Sequence, residues 1–329
     1  MIIRFIKKAH ILIIIACALL AFGAGSALAI DSNAGTAAGS FMKLGIGSPK
    51  AQSLGHAYCA LAEGPDSLVW NPAGLGVSKQ REMYFTYLSW VQDYKGYYFA
   101  YVYPLGQTVI GLNASYMTID GFDARDVNNI PQPSDTVSAK DNFVTLSIAR
   151  SFFVEAFSVG GSIKRVAENN DGTEYSNIVF DLGAQLHFGS LLHFGAALQN
   201  IGNKDEVVQL SRVGAALNLG PYLSISGELE KASDNRTRPG VGVEITIPED
   251  TTQVGKFSLR LGYFDADDHG KNYNSNFLKD LSLDKTSKIS FGMGVFTSQM
   301  LGYGVGIDYA FTPYGALGTV NQLGFRFVF

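Results

Sequence analysis

The stretch Tyr303-Gly304-Val305-Gly306-Ile307-Asp308-Tyr309-Ala310-Phe311 decides the fold. Its large apolar side chains occupy every second position, and glycine, aspartate or alanine fills the positions between them. A period of two places all the large side chains on one face of a β-strand. The strand that it predicts therefore has one apolar face and one face of small or polar residues.

Thirteen further segments alternate in the same way, so the sequence predicts fourteen strands. With the first one included, the predicted bounds are 82–91, 96–104, 107–119, 141–152, 156–167, 175–188, 192–201, 209–219, 222–232, 238–247, 256–265, 287–297, 302–312 and 319–329. In the segment 175–188, for example, Ile178, Phe180 and Leu182 alternate with Asp181 and Gly183. Many short alternating segments predict an all-β, antiparallel architecture.

Two architectures share this pattern: a soluble sandwich with its apolar face inward, and a membrane barrel with its apolar face outward. The polar faces favour the barrel, because they are rich in glycine and serine and carry only isolated charges. Those charged residues are Lys164, Arg212, Glu228, Glu244, Arg260, Asp308 and Arg326. A soluble sandwich would coat its outer face more densely with charged residues, whereas a wet, partly filled lumen tolerates small ones.

Strand length and aromatic residues also favour the barrel. A strand of about 11 residues, tilted by about 40°, spans roughly 28 Å, close to the ~25 Å apolar band of outer-membrane barrels. Aromatic residues suited to a bilayer interface crowd the early strands: Tyr84, Tyr87, Trp90, Tyr94, Tyr97, Tyr98, Tyr101 and Tyr103. We therefore predict a 14-stranded antiparallel transmembrane β-barrel over residues 81–329.

The predicted connections differ in length according to their position. The two longest, 120–140 and 266–286, both follow odd-numbered strands, and most connections after even-numbered strands are short. Outer-membrane barrels have short periplasmic turns and longer extracellular loops. The pattern therefore predicts that both ends of the barrel wall lie on the periplasmic side.

The first 29 residues have the features of an export signal. Arg4, Lys7 and Lys8 precede the apolar stretch 11–20, and Ala27-Leu28-Ala29 forms an A-x-A cleavage site. We expect cleavage near Ala29. A lipoprotein signal ending before Cys17 is the alternative, and it would leave the A-x-A site unused. Cleavage near Ala29 leaves Cys59 as the single cysteine, which excludes an intramolecular disulfide.

Composition limits the function classes. Charged residues make up 16% of the chain, the formal net charge is −4, and 37 residues are glycine. An acidic chain without a basic run is a poor nucleic-acid binder, so we expect no nucleic-acid partner. After residue 30 no apolar stretch is long enough for a transmembrane helix.

The last eight residues are Gln322-Leu323-Gly324-Phe325-Arg326-Phe327-Val328-Phe329. This ending resembles the assembly signal of bacterial outer-membrane barrels, in which aromatic residues occupy the third-last and last positions. The resemblance implies that the barrel-assembly machinery reads Gln322, Gly324, Phe327 and Phe329, and that the protein resides in outer-membrane lipid. The alternative is an ordinary final strand that is buried.

Residues 30–80 precede the first strand and show little alternation. They are too few to build a stable core alone, and a fourteen-stranded barrel leaves internal space. We therefore predict that they form a hatch, or plug, in the lumen. Asp66 is predicted to cap a short helix over 67–70, and Pro72 and Gly74 to close it.

Three motifs in this region resemble the N-terminal signature of the PorV/PorQ family. They are Phe41-Met42-Lys43-Leu44-Gly45-Ile46-Gly47, Leu54-Gly55-His56-Ala57-Tyr58-Cys59-Ala60-Leu61-Ala62 and Ser67-Leu68-Val69-Trp70-Asn71-Pro72-Ala73-Gly74-Leu75. That family is related to FadL-type long-chain fatty-acid transporters, which share the Asn-Pro-Ala element. The hatch motif is thus Asn71, Pro72, Ala73 and Gly74. His56, Cys59 and Gly64-Pro65 depart from the family pattern.

The resemblance implies an outer-membrane barrel that binds or passes hydrophobic small molecules. For the PorV branch it implies an alternative, a type IX secretion shuttle whose extracellular loops meet exported protein cargo. Four apolar hatch residues could contact an alkyl chain in the lumen: Phe41, Leu44, Leu68 and Trp70. The alternative for these residues is that they anchor the plug.

Sites for chemistry are weakly indicated. The sequence has no G-x-S-x-G, Walker A or C-x-x-C motif, so we expect no enzymatic activity, catalytic residue or cofactor. His187 and His193 flank one predicted turn, and Asp265, Asp267, Asp268 and His269 share one loop. Polar turn residues and a solvated loop explain these groups more simply than a metal ion does, so no metal site is predicted.

Overall fold

The computed structural model describes residues 39–125, 130–202, 207–265, 289–300, 302–314 and 317–329. Fourteen strands in these ranges form one closed antiparallel barrel in chain order, and the last strand pairs with the first. The strands are β1 (Glu82–Ser89), β2 (Lys95–Leu105), β3 (Thr108–Arg125), β4 (Pro131–Phe152), β5 (Phe157–Asn170), β6 (Thr173–Phe188), β7 (Leu192–Ile201), β8 (Leu210–Leu219), β9 (Leu223–Ala232), β10 (Thr237–Ile247), β11 (Lys256–Phe264), β12 (Ile289–Met300), β13 (Tyr303–Pro313) and β14 (Thr319–Val328). The predicted fourteen-stranded barrel is confirmed. The predicted signal peptide, residues 1–29, is not among the described residues.

The wall turns its apolar rows outward. In β6, Ile178, Phe180 and Leu182 are 56%, 49% and 57% exposed, whereas Asp181 between them is fully buried. A soluble sandwich would bury the apolar row and expose the aspartate. An exposed apolar belt around a polar interior is the arrangement that a barrel needs in a bilayer. The predicted direction of the faces is therefore confirmed.

The aromatic residues of the first two strands divide between the two faces. Tyr87 and Tyr97 point outward and pack together, with ring centroids 5.5 Å apart. Tyr84 and Tyr98, in contrast, are buried inside the barrel. The prediction of a bilayer-facing aromatic cluster is thus wrong for these two rings, because strand parity, not ring chemistry, sets the face.

The β3–β4 hairpin is longer than predicted. The expected loop 120–140 is largely strand, because the pairing continues past Ile119↔Ala139 to Arg125↔Pro131 with two irregularities. Backbone pairing does not require an apolar face. A strand can therefore continue beyond the apolar belt without the alternation of apolar and polar residues from which strands are predicted. The β5–β6 connection is also short, a turn through Asp171 and Gly172 with positive φ angles of 50° and 84°. These two connections are therefore shorter than predicted, whereas the predicted loop 266–286 lies outside the described residues.

Residues 39–80, called the N-terminal segment below, form short helical turns instead of strands. The five helical turns are Ser40–Leu44, Pro49–Ser53, Gly64–Asp66, Ser67–Trp70 and Pro72–Val77. No helix within the described ranges is long and apolar enough to cross a membrane. The segment lies against the inward side of the wall, and most of its side chains are buried there.

The predicted helix Ser67–Trp70 is present, but Asp66 does not cap it. The Asp66 side chain makes no capping hydrogen bond, and its carboxylate pairs with Arg326 of β14. Pro72 is the first residue of the next turn, and Asn71 caps that turn, because its Oδ1 accepts a hydrogen bond from Ala73 N at 3.1 Å. The long-range ion pair outweighs the local cap.

Candidate functional site

Lumen-facing glycines let the wall approach the backbone of the N-terminal segment. A Cβ added at Gly160 or Gly183 would overlap the Asn71–Ala73 turn, and one added at Gly195 would overlap Cys59. Around the other side of the barrel, a Cβ at Gly240 or Gly262 would overlap Gly55. These contacts, called the glycine ring below, surround the segment from β5 to β11 and leave no room for a side chain.

The predicted hatch motif joins parts of the segment to the wall. Asn71 Nδ2 donates to Cys59 O at 3.0 Å and to Ala184 O of β6 at 3.2 Å. A Cβ at Gly74 would overlap Ala62 O, so this position requires glycine. The Asn-Pro-Ala-Gly element therefore links two parts of the N-terminal segment to each other and to β6.

Glu228 of β9 is the most heavily used acceptor between wall and segment. Its Oε2 accepts hydrogen bonds from Tyr58 N at 2.8 Å, Cys59 N at 2.6 Å and Trp70 Nε1 at 3.2 Å. Its Oε1 accepts one from Arg212 Nη1 at 3.0 Å. The sequence indicated only that Glu228 faces the lumen, because its partners in the N-terminal segment lie 158 to 170 residues away along the chain.

Glu228 belongs to a row of alternating charges across neighbouring strands. Arg212 pairs with both Glu228 and Glu230, and Glu230 also pairs with Arg238. The guanidinium carbon of Arg212 lies over the face of the Trp70 ring, 4.1 Å from its centroid. Charges buried this deeply are tolerated only when each has a partner, so removing one member should disturb the whole row.

The closing strands β1 and β14 hold the segment from the opposite side. Thr86 of β1 donates to Ile46 O at 2.8 Å, and Gln322 of β14 donates to the same oxygen. Nearer to the C-terminal end of β14, Arg326 pairs with Asp66 and with Glu82 of β1. The predicted assembly residue Gln322 therefore faces the lumen.

The aromatic residues of the C-terminal motif face outward. Phe327 and Phe329 are 39% and 42% exposed. Gly324 lies beside the Tyr84 hydroxyl, where an added Cβ would overlap it. The motif thus divides between an inward polar row that binds the segment and an outward aromatic row. Recognition by the assembly machinery stays a prediction.

The four proposed ligand contacts are packed between segment and wall. Leu68 and Trp70 are fully buried, and Phe41 stacks on Phe143 of β4 with ring centroids 6.1 Å apart. Leu44 is partly buried and packs against the hydrophobic cluster that contains Phe41 and Leu68. These are the contacts of anchoring residues, the alternative that the sequence left open. Contact with a ligand stays a prediction.

His56 is held as a neutral ring inside the segment. It stacks on Phe264 with centroids 4.6 Å apart and meets Trp70 edge-on at 5.5 Å. Its Nε2 lies 3.1 Å from Gln52 Oε1. Burial lowers the pKa of His56 to about 3, although the nearby Glu230 carboxylate acts in the opposite direction.

Partly buried apolar residues gather at the barrel end opposite Arg81 and Phe329, where β1–β2 and β13–β14 are connected. This group, called the distal mouth, comprises Met42, Leu44, Trp90, Val91, Tyr94, Tyr175 and Tyr314. Trp90 and Tyr314 contact each other across the two connections, with ring centroids 5.2 Å apart. The distal mouth offers an apolar, partly exposed surface next to the start of the segment.

The end that carries Arg81 and Phe329 is polar. Two adjoining cavities of about 430 Å³ and 530 Å³ open there and form what we call the terminal vestibule. Both cavities are lined by Lys50, Glu63, Val77, His187, His193 and Lys256. The structure thus brings His187 and His193 together. Asp265 pairs with Arg236 at 3.1 Å, and the other residues of the predicted acidic loop lie beyond the described ranges.

No protein-family model matches this chain, and no curated protein matches it in sequence. Solved structures do match. The chain is similar to the Ralstonia pickettii toluene transporter TbuX, with 14% identity and a TM-score of 0.57 over 85% of this chain and 97% of that one. It is also similar to a Pseudomonas aeruginosa FadL homologue and to the Pseudomonas putida toluene transporter TodX. Each has 10% identity and a TM-score of 0.52 over 85% of this chain and 96% of the other. At these identities the likeness establishes the fold, and the chain has the fold of these barrels.

Proposed function

We propose that the protein is an outer-membrane barrel that binds and passes hydrophobic small molecules, with the N-terminal segment as its hatch. The observation that carries the proposal is a closed wall with an apolar outer belt whose lumen is filled by residues 39–80. The fold likeness to two toluene transporters supports the substrate class. The export signal and the C-terminal motif in the sequence support the outer-membrane location and a relation to PorV/PorQ proteins.

The distal mouth is the proposed site of first contact. Its rings and aliphatic side chains can take up an apolar molecule from water, because burial of apolar surface is favourable at roughly 25 cal/mol per Å². Trp90 supplies the largest ring, and it contacts Tyr314 across the two connections. No catalytic role is proposed for any residue, and no observation favours the secretion-shuttle alternative.

Passage along the lumen requires the segment to move. The glycine ring holds the backbone of residues 55–73 against the wall, and Glu228 and Gln185 bind the same part of the segment. A molecule that crosses the full lumen must displace these residues, which supports a role for the segment as a hatch that has to open. The proposal is that ligand binding at the distal mouth favours a displaced state.

A disulfide lock tests this proposal with the native cysteine. A Cβ at Gly214 of β8 would lie 3.5 Å from Cys59 Cβ, within the range of disulfides. Gly214→Cys should therefore fix the segment to the wall under oxidising conditions. We expect uptake of toluene and of a labelled fatty acid to fall when the variant is oxidised and to recover on reduction.

The matched control is the same variant with Cys59→Ser, which cannot form the lock. Cells that lack the protein give the baseline, and wild-type protein should raise uptake above it. Uptake equal in the presence and absence of wild-type protein would contradict transport. Transport that persists in the oxidised variant would contradict a route through the lumen past residue 59.

A further inference from the structure

Three buried polar side chains on the lumen face of β3 and β4 have no hydrogen-bond partner among the described residues. They are Asn113 and Ser115 of β3 and Thr145 of β4, and each is at most 4% exposed. In Asn113 both amide atoms, Oδ1 and Nδ2, are without a partner. Asn113 and Thr145 lie directly opposite each other in the strand register, so their Cβ atoms are about 4.5–5.5 Å apart. We call these three residues the β3–β4 polar cluster.

The polar groups next to this cluster are engaged elsewhere. The Tyr98 hydroxyl donates to Pro65 O at 3.1 Å. Lys164 of β5, which lies beside the cluster in the strand register, pairs with Asp181 at 2.9 Å. On the next strand, in contrast, Gln185 donates hydrogen bonds to two carbonyl oxygens of the N-terminal segment. A buried polar group without a partner is costly, so the cluster indicates a partner that the segment does not supply.

Apolar side chains surround the β3–β4 polar cluster. Ala100 of β2 and Phe143 of β4 lie beside it in the strand register. Leu68 of the N-terminal segment packs over the neighbouring Gly111, where an added Cβ would overlap it. Ala100, Phe143 and Leu68 belong to one hydrophobic cluster, and the side chains of the distal mouth pack against that cluster. Apolar contacts therefore continue from the distal mouth to a single polar spot on the wall.

We propose that the β3–β4 polar cluster binds the hydroxyl group of an otherwise apolar ligand, a phenol or an aliphatic alcohol, when the N-terminal segment is displaced. This inference rests on the proposed transport function and narrows its substrate class. One amide and two hydroxyls can both donate and accept, as a ligand hydroxyl does. The charge of Lys164 is already paired, so a neutral hydroxyl fits better than a carboxylate. A plain hydrocarbon would leave the buried polar groups unpaired, which is how such sites discriminate between ligands.

The test compares para-fluorophenol with para-fluorotoluene, which differ by a hydroxyl in place of a methyl group. Fluorine NMR measures the binding of each probe to the full-length mature protein in nanodiscs, with empty nanodiscs as the background. The measured quantity is the ratio of the two dissociation constants within one protein, because a general change in apolar binding cancels in that ratio. Thr145→Val and Asn113→Leu should each shift the ratio against the phenol by about three- to tenfold, the effect of losing one hydrogen bond.

Two control variants should keep the wild-type ratio, and heat-dependent gel mobility verifies that every variant is folded. Thr145→Ser retains the hydroxyl. Thr312→Val makes the same change as Thr145→Val at a buried threonine of β13, whose hydroxyl accepts a hydrogen bond from Gln52.

The outcomes separate this inference from the proposed function. If both probes bind but Thr145→Val and Asn113→Leu keep the wild-type ratio, the polar cluster holds water only, and the inference is overturned while the proposed function stands. An equal shift in Thr312→Val would also overturn it. If neither probe binds to the wild-type protein, the proposed function fails and the inference fails with it.

Discussion

Thr86 on β1 and Gln322 on β14 donate hydrogen bonds to one acceptor, the carbonyl oxygen of Ile46. The pairing of these two strands closes the barrel. One backbone atom of the N-terminal segment therefore bridges the seam between the first and last strands. Arg326 repeats this relationship nearer to Phe329, because it pairs with both Asp66 of the segment and Glu82 of β1. Docking of the segment and closure of the wall should consequently be coupled.

A double-mutant cycle at the seam measures that coupling. Thr86→Val and Gln322→Leu should each lower the free energy of unfolding by about 0.5–1.5 kcal/mol, since each removes one hydrogen bond. The double variant should lose more than the sum, by about 0.5 kcal/mol or more, because Ile46 O then has neither donor. Denaturant unfolding in detergent gives the values. Thr173→Val, at the exposed start of β6, is the control. Strictly additive effects would contradict the bridge.

Glu228→Gln tests the most heavily used wall contact. The amide group has one acceptor oxygen in place of two, so it cannot serve both the Tyr58–Cys59 backbone and Arg212. Removing one partner of a buried ion pair costs about 3–5 kcal/mol. We expect faster amide exchange at Tyr58 and Cys59, measured by mass spectrometry or NMR. Exposed Glu174→Gln is the matched control, and equal exchange in both variants would show that Glu228 does not hold the segment.

The wall was predictable from sequence, whereas the contacts inside it were not. An apolar outer belt requires alternation, so Ile178, Phe180 and Leu182 could be assigned to the outer face. The same pattern shows that Glu228 faces inward, but not which residue of a folded segment reaches it. Asp66 illustrates this limit. Its position before a short helix predicted a capping role, but its carboxylate pairs with Arg326, which lies 260 residues away along the chain. The β3–β4 extension was missed because paired strands beyond the belt have no apolar face to alternate.

A methyl group in the glycine ring should displace the N-terminal segment. Gly262→Ala places a Cβ on top of Gly55 N, so backbone must shift. We expect protease cleavage within residues 50–62 and higher permeability of reconstituted vesicles to a hydrophobic dye. Gly227→Ala is the matched control, because its nearest neighbour would be Gly240 O at 3.9 Å. If Gly262→Ala matches Gly227→Ala in both measurements, the segment does not close the lumen at this level.

Deleting Phe329 should reduce assembly. Phe329 exposes its ring on the outer face, stacks on Tyr101 at 6.4 Å, and its N–H donates to Arg81 O at 3.0 Å. The reading of this residue as part of an assembly signal predicts less folded barrel in the membrane, measured by heat-dependent gel mobility of outer-membrane fractions. Phe180→Ala removes another outward ring away from the terminus and should leave folded levels close to wild type. Normal amounts of the truncated chain would refute the signal.

His56 should make the protein sensitive to acid. Its pKa is lowered by burial to about 3 in the fold, from 6.5 for an ordinary histidine. Between these values the unfolded chain binds a proton that the folded chain does not. Stability is therefore complete above pH 6.5 and falls as the pH decreases toward 3.

His56→Phe isolates this effect, since phenylalanine can keep the stacking on Phe264 but cannot take up a proton. Unfolding free energies should be measured for both proteins at several pH values between 7.5 and 4. Carboxylates titrate in both proteins, so their contributions cancel in the difference. The wild type should lose up to about 1.4 kcal/mol per pH unit more than the variant below pH 6. Parallel pH profiles would mean that the buried ring is not the source of acid sensitivity.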